Sequence, residues 1–271
     1  MEDKKIKKSI YAFAAIGMAV CFGIGMAVGQ QRADSNVEKG NYTDEMKMEY
    51  RTNYDDYGAN MVEREGDHEN SPYFYSMDIY NAEPSDSLYI LPQFKTIQQT
   101  SWWSCGVSAA EMVINYFGKR SDWNEERLAE LREDHSQMHV GTCLDQVIDI
   151  FEGVGGFELE TTHDYEGRLD EINLSFIRQH IKEGTPILVG WNDWGGHWQV
   201  IIGYDTMGTD YEGDDVLIMA DSFDTTDHNQ DGYSVYGAER FIYNFTYYNF
   251  FDGCPDHLND KCFVAVKPLE K

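Results

Sequence analysis

Positive charge is scarce in this chain. Its 271 residues carry 21 Lys and Arg against 48 Asp and Glu, for a formal net charge of −27. A surface that acidic repels phosphate backbones, so nucleic acid is excluded as an expected partner. The acidity otherwise has the ordinary role of a solvated face that keeps a protein in solution. No internal repeat or low-complexity array occurs, which leaves one large domain or two small ones for a chain of this length. Cysteine is sparse as well, at positions 21, 105, 143, 254 and 262.

One stretch lacks charge altogether. Ile10 to Gly29 contains no Asp, Glu, Lys or Arg, and it follows Lys4, Lys5, Lys7 and Lys8. A helix of that length rises about 30 Å, enough to cross a bilayer, and the leading lysines place its start in the cytoplasm. The expectation for residues 1–30 is therefore a membrane anchor or signal segment, with Ala27 to Gly29 as the small-residue site if it is cleaved. A lipoprotein reading needs a small residue before Cys21, and Val20 fits that poorly. Every version exports the rest of the chain, so the expected location is extracytoplasmic, anchored by a single N-terminal helix or secreted. There a disulfide becomes available, and Cys254 and Cys262 are the closest pair. Cys105 and Cys143 are left without an obvious partner.

Residues 31–85 are polar and charge-mixed, with no sustained apolar period, and are expected to form a stalk or spacer. From residue 86 to 271 the composition becomes that of a globular domain. Ala109, Met112, Val113, Tyr116 and Phe117 share a helical face, with Gly118 as terminator. Asp122 with Glu125 caps a second expected helix, and Thr142 with Asp145 starts a third whose stripe is Leu144, Val147, Ile148 and Phe151. A fourth covers "LSFIRQHIKEG". Strands follow at "PILVGW", "HWQVIIGYD", "VLIMAD" and "CFVAVKP". Helices first and strands afterwards indicate an α+β fold, a helical part packed on an antiparallel sheet.

Four residues in this pattern carry candidate chemistry. Cys105 stands at the seam between the polar "QQTSWWS" and an apolar helical run. Most free cysteines are buried small hydrophobes. At a helix N-terminus, however, the dipole and the open backbone N–H groups favour a thiolate. His197 follows two glycines and opens an apolar strand, a place from which an imidazole can project into a cleft; the plainer alternative is a core histidine bound to a carbonyl. Asp221 closes the strand "VLIMAD" and either orients that imidazole or caps the next turn. Asp205, on the histidine's own strand, competes for the same role. Gln99, six residues before Cys105, offers a side-chain amide that, with the Cys105 N–H, would hold an oxyanion.

Taken in this order, the Gln-x5-Cys-Gly segment, the helix ending in "YFG", and the strands "GGHWQVIIGYD" and "VLIMAD" resemble the bacteriocin-processing peptidases that cleave double-glycine leaders. The closer similarity is to the standalone, exported relatives, the C39-like branch, in which "SCG", a "GT" helix start and "H-W-x-V-I-x-G-Y-D" recur. The resemblance spans about residues 90–266. It implies a papain-like cysteine peptidase fold over residues 86–271, with Cys105 as nucleophile, His197 as base, Asp221 as orienting acid and Gln99 as oxyanion donor. It implies hydrolysis of peptide bonds through a thioester acyl-enzyme, with a peptide or protein as partner and no cofactor. An acyl acceptor other than water would make the chain a transpeptidase, and a non-catalytic peptide-binding module of the same fold is the rival from another class. Two departures separate the chain from the leader peptidases. Ser104 stands where they carry an acid before the cysteine, and the transporter segments to which they are commonly fused are missing.

Weaker constellations remain. Trp102, Trp103 and Trp194 fall near the expected cleft and would line a substrate groove. Asp227, Asn229 and Asp231, followed by Gly232, form the first half of a calcium loop. The closing acid belongs at the twelfth position, which is Ala238, with Glu239 one residue late. An acidic turn with local hydrogen bonds explains the same residues. His135, His139 and Cys143 lack a fourth neighbour for zinc.

Overall fold

The chain enters its sheet at β1 (Leu88–Ile90) and then builds three helices, α1 (Cys105–Tyr116), α2 (Glu125–Ala129) and α3 (Leu144–Val154). After β2 (Phe157–Thr161) and α4 (Leu174–Lys182) come β3 (Ile187–Trp191), β4 (His197–Asp205), β5 (Val216–Ala220), β6 (Tyr233–Gly237), α5 (Ala238–Tyr243) and β7 (Cys262–Pro268). The computed structural model describes residues 48, 51–52, 58–59, 77–118, 123–132, 141–193, 195–224, 231–246 and 260–269. All of these but Met77 belong to one unit, Thr43–Asp67 with Asp78–Lys271.

Among the described residues the strands form one antiparallel sheet in the order β2-β7-β3-β4-β5-β6, and β1 pairs with the far end of β4. Val107, Met112, Val147 and Phe151 cover one face, packing on Leu188, Trp198, Val200 and Val264. Ile177, Ile181 and Phe241, from α4 and α5, cover the other, on Val189, Ile201, Met219 and Phe263. With both faces buried, β3, β4, β5 and β7 need no polar alternation, which is why they read as continuous apolar runs. The expected α+β architecture holds. α1 goes further than a one-face helix: Cys105 through Ile114 are all buried, Glu111 among them.

Two helix starts differ from expectation. Asn124, not Asp122, caps α2, its side chain accepting from the Arg127 N–H. Glu125 is instead turned inward, where its carboxylate accepts from Thr100. α3 begins one residue late, with Cys143 as N-cap and the Gln146 side chain accepting from the Cys143 N–H. The reason is that the Thr142 hydroxyl is already taken by Arg132. β2 and β6, both absent from the sequence expectation, are the outer strands, short and half polar as edges tend to be.

The starts of α1, α3 and β4 meet at a single contact. A Cβ on Gly106 would lie 2.8 Å from Thr142 Cβ and 3.0 Å from Trp198 Cδ1, so only glycine allows the approach. The Trp198 indole N–H donates to the Thr142 carbonyl at 2.7 Å. The "CG", "GT" and "HW" dipeptides are thus three sides of one packed junction, and it carries Cys105 and His197.

The membrane expectation is overturned. Among the described residues no helix is long and apolar enough to cross a membrane, and Ile10 to Gly29 lie outside the described residues. The extracytoplasmic, membrane-anchored placement therefore does not stand. The disulfide expectation changes too. Cys254 lies outside the described residues, whereas Cys262 is a free thiol, 1 % exposed within β7, and burial pushes its pKa far up.

Candidate active site

Cys105 is the first residue of α1, and its N-cap Ser104 makes no side-chain capping bond. The first-turn N–H groups, Cys105's own among them, have no intrahelical partner and point toward the chain end. His197 opens β4 and is 5 % exposed. Its Nε2 lies 2.7 Å from Asp221 Oδ1. The Cys105 side chain is near enough to the ring to help raise its pKa, and with Nε2 committed to Asp221 the nitrogen left to face the thiol is Nδ1.

Asp221 is fully buried directly after β5. It accepts from His197, from the Phe223 N–H at 2.7 Å and from Gln199 Nε2 at 2.8 Å. Burial raises its pKa, but the imidazolium and these donors outweigh it, and the carboxyl is held below its ordinary value. Burial alone would lower the pKa of His197. The Asp221 charge and hydrogen bond, with Cys105, override that and hold it well above 6.5. Asp205 takes no part: its Oδ1 caps the following turn by accepting from the Met207 N–H.

Gln99 is 2 % exposed. Its Oε1 accepts from Ser222 Oγ at 2.8 Å, its backbone N–H donates to the Ser222 carbonyl, and its Nε2 donates to Ser101 O at 2.7 Å. Ser222 follows Asp221, so one turn anchors both the acid and the amide.

Three residues of this site give no sign in the sequence. Gln199 lies two positions after His197 on the same face of β4. The Trp191 indole, a donor only, fixes its Oε1 at 2.6 Å, which directs Nε2 to Asp221 and to Asp193 at 3.2 Å. Arg132, 2 % exposed, lies with its guanidinium 5.0 Å from the Trp103 ring centre and donates to Thr142 Oγ1. Burial lowers its pKa, against the opposing influence of Cys143 and Cys105. Glu125 accepts from Thr100 and Ser108, behind the Cys105 loop. A glutamine inside a strand, an arginine ending a charged helix and a glutamate in a first turn all look like surface residues.

The aromatic expectations divide. Trp102 is 54 % exposed beside the candidate nucleophile. Trp103, expected in the groove, is 5 % exposed and packs in the core against Arg132, because that cation needs a ring to cover it. Trp194 lies outside the described residues, as do Asp227 and Asn229. Asp231 is buried and turned to its own chain, Oδ1 accepting from the Tyr233 N–H and the carbonyl from Thr96 Oγ1. Among the described residues no cluster of three or more His, Cys, Asp or Glu could hold a metal ion.

The sequence profile of the Peptidase_C39 like family matches residues 91–250. No curated protein matches the chain. Several solved structures are similar, among them these two. One is the peptidase domain of Streptococcus ComA, a bi-functional ABC transporter involved in a quorum sensing pathway. It is 16 % identical over 65 % of this chain and 99 % of its own, with a TM-score of 0.38. The other, described as a C39-like peptidase from Bacillus anthracis, is 13 % identical over 69 % of this chain and 100 % of its own, with a TM-score of 0.47. The profile covers more than half of the chain and includes Gln99, Cys105, His197 and Asp221; the chain belongs to the Peptidase_C39 like family.

Proposed function

We propose that this chain is a cysteine peptidase acting through Cys105, His197 and Asp221. One observation carries the reading: a single buried histidine lies 2.7 Å from a buried aspartate and has its pKa raised both by that acid and by a helix-start thiol. The Cys105 thiolate attacks the scissile carbonyl. The oxyanion of the tetrahedral intermediate is held by the Cys105 N–H and the second Nε2 hydrogen of Gln99. Collapse gives a thioester, and the amine leaves with the proton from the His197 imidazolium. His197 then takes a proton from water, whose oxygen attacks the thioester and releases the acid and the thiolate. Trp102 is assigned to the substrate side by its exposure. Incubating the protein with a diverse peptide pool and mapping new termini tests the activity. Cuts made by the wild type and missing from Cys105→Ala support it, whereas a pool left intact favours a binding module.

Gln99→Ala is expected to lower kcat roughly a hundredfold, the scale for one oxyanion donor, because the Cys105 N–H remains. An unchanged kcat removes Gln99 from the oxyanion site.

Asp221→Asn tests the electrostatics through pH. The His197 pKa is raised in the folded state, so its contribution to stability is complete below 6.5 and is lost as pH rises through the folded value. The Asp221 pKa is depressed, so its contribution is present above 3.8 and is lost as pH falls through the folded value. Both act fully between these two values. Without the carboxylate charge the histidine gives up its proton more readily. The alkaline limb of the kcat/KM profile is expected to move to lower pH, and a limb that stays in place means Asp221 does not set the ionisation.

A further inference from the structure

The buried glutamates behind the Cys105 loop share a cation from outside the globular stretch read in the sequence. Arg51 forks onto Glu111, Nη1 to Oε2 at 2.9 Å and Nη2 to Oε1 at 2.7 Å. Its Nη1 is 3.8 Å from Glu125 Oε2. Glu111 and Glu125 are 2 % and 7 % exposed, on separate helices. Two buried carboxylates gathered on one guanidinium depend on it as their counter-charge. The Arg51 fork supplies it in the two-bond geometry a lysine cannot reproduce.

Glu125 passes that constraint to the candidate catalytic loop. Its carboxylate accepts from the Thr100 N–H at 3.1 Å, the Thr100 hydroxyl at 2.7 Å and the Ser108 hydroxyl at 3.1 Å. Thr100 follows Gln99 and Ser108 stands in the first turn of the helix that Cys105 opens, so one carboxylate ties the chain on both sides of the thiol. A second tie runs from the same N-terminal segment: the Ala59 N–H donates to the Gln99 carbonyl at 3.3 Å. Met48 packs where a Cβ on Gly232 would stand.

We propose that Arg51 is a positioning residue for the oxyanion side of the active site, and that the functional domain begins with the segment containing Met48, Arg51 and Ala59 and not at residue 86. The inference rests on the cysteine-peptidase reading for its effect on turnover, and on geometry alone for its effect on the loop.

The test compares Arg51→Met, Arg51→Lys and Thr100→Val in the full chain, by peptide turnover and by backbone amide exchange across residues 97–105. Arg51→Met is expected to lose tenfold or more in kcat with KM little changed, and to exchange faster across that loop than across β3 and β4. Arg51→Lys, which keeps the charge but not the fork, is expected to recover part of both. Thr100→Val removes the loop's hydroxyl bond to Glu125 without disturbing the charges, and is expected to lower kcat even if Arg51→Met does not fold. Wild-type kcat and unchanged loop exchange in Arg51→Lys and Thr100→Val overturn the role of Arg51. So does a fall in melting temperature with no change in kcat, which marks the residue as structural only. A wild-type chain that turns over no peptide instead sinks the peptidase reading, and loop exchange then decides the role of Arg51 alone.

Discussion

Cys105→Ala is expected to abolish turnover, with a loss of at least about 10⁴-fold in kcat. No other described thiol can replace it. Cys143 is the N-cap of α3, and Cys262 is buried in β7 with its pKa pushed far up. Cys105 is the thiol that acts on the His197 ring, and without its sulfur no thioester can form. Removing one sulfur from a position only 7 % exposed costs about 1 kcal/mol of packing, so the variant should still fold. Measurable turnover by a folded Cys105→Ala protein, on the same cut sites as the wild type, would move the chemistry elsewhere.

His197→Ala is expected to be nearly as damaging, by roughly 10³- to 10⁴-fold in kcat. Thiolate formation, protonation of the leaving amine and activation of water all pass through this one ring. The substitution also leaves Asp221 buried without its cation. The carboxylate keeps the Phe223 N–H and Gln199 Nε2 bonds, so the cost in stability is about 1–3 kcal/mol and not that of a wholly stranded charge. Thermal melts separate this loss from the kinetic one. A His197→Ala protein within tenfold of wild-type kcat is incompatible with the assigned base.

The four candidate catalytic residues were legible because each occupies a place where backbone geometry exposes chemistry: a helix start, two strand ends and the loop before the helix. Their supports were not. Gln99 is held by Ser222, 123 residues away, and Arg51 reaches Glu111 across 60. Pairings at such separations leave no periodic trace. Arg51 sits in a polar stretch that lacks any apolar period, so composition marks it as spacer, although the compact unit includes Thr43–Asp67. The central strands were readable because burial on both faces makes them continuously apolar. β2 and β6 were not, because edge strands mix polar and apolar positions. Cys262 shows the opposite failure, since closeness in sequence to Cys254 suggested a pairing where the structure has a free core thiol.

The pairing of Cys105 with His197 at the centre of this account is tested most directly by the rate at which iodoacetamide alkylates each cysteine near pH 6, followed by mass spectrometry, in wild type and His197→Ala. With the His197 ring facing the sulfur and the α1 N-terminus at its back, Cys105 is the thiol the account makes the nucleophile. The account predicts that Cys105 is alkylated first, well ahead of Cys143 and Cys262, and that His197→Ala slows this by a hundredfold or more. Labelling of Cys105 no faster than Cys143, or at a rate indifferent to His197, would contradict it.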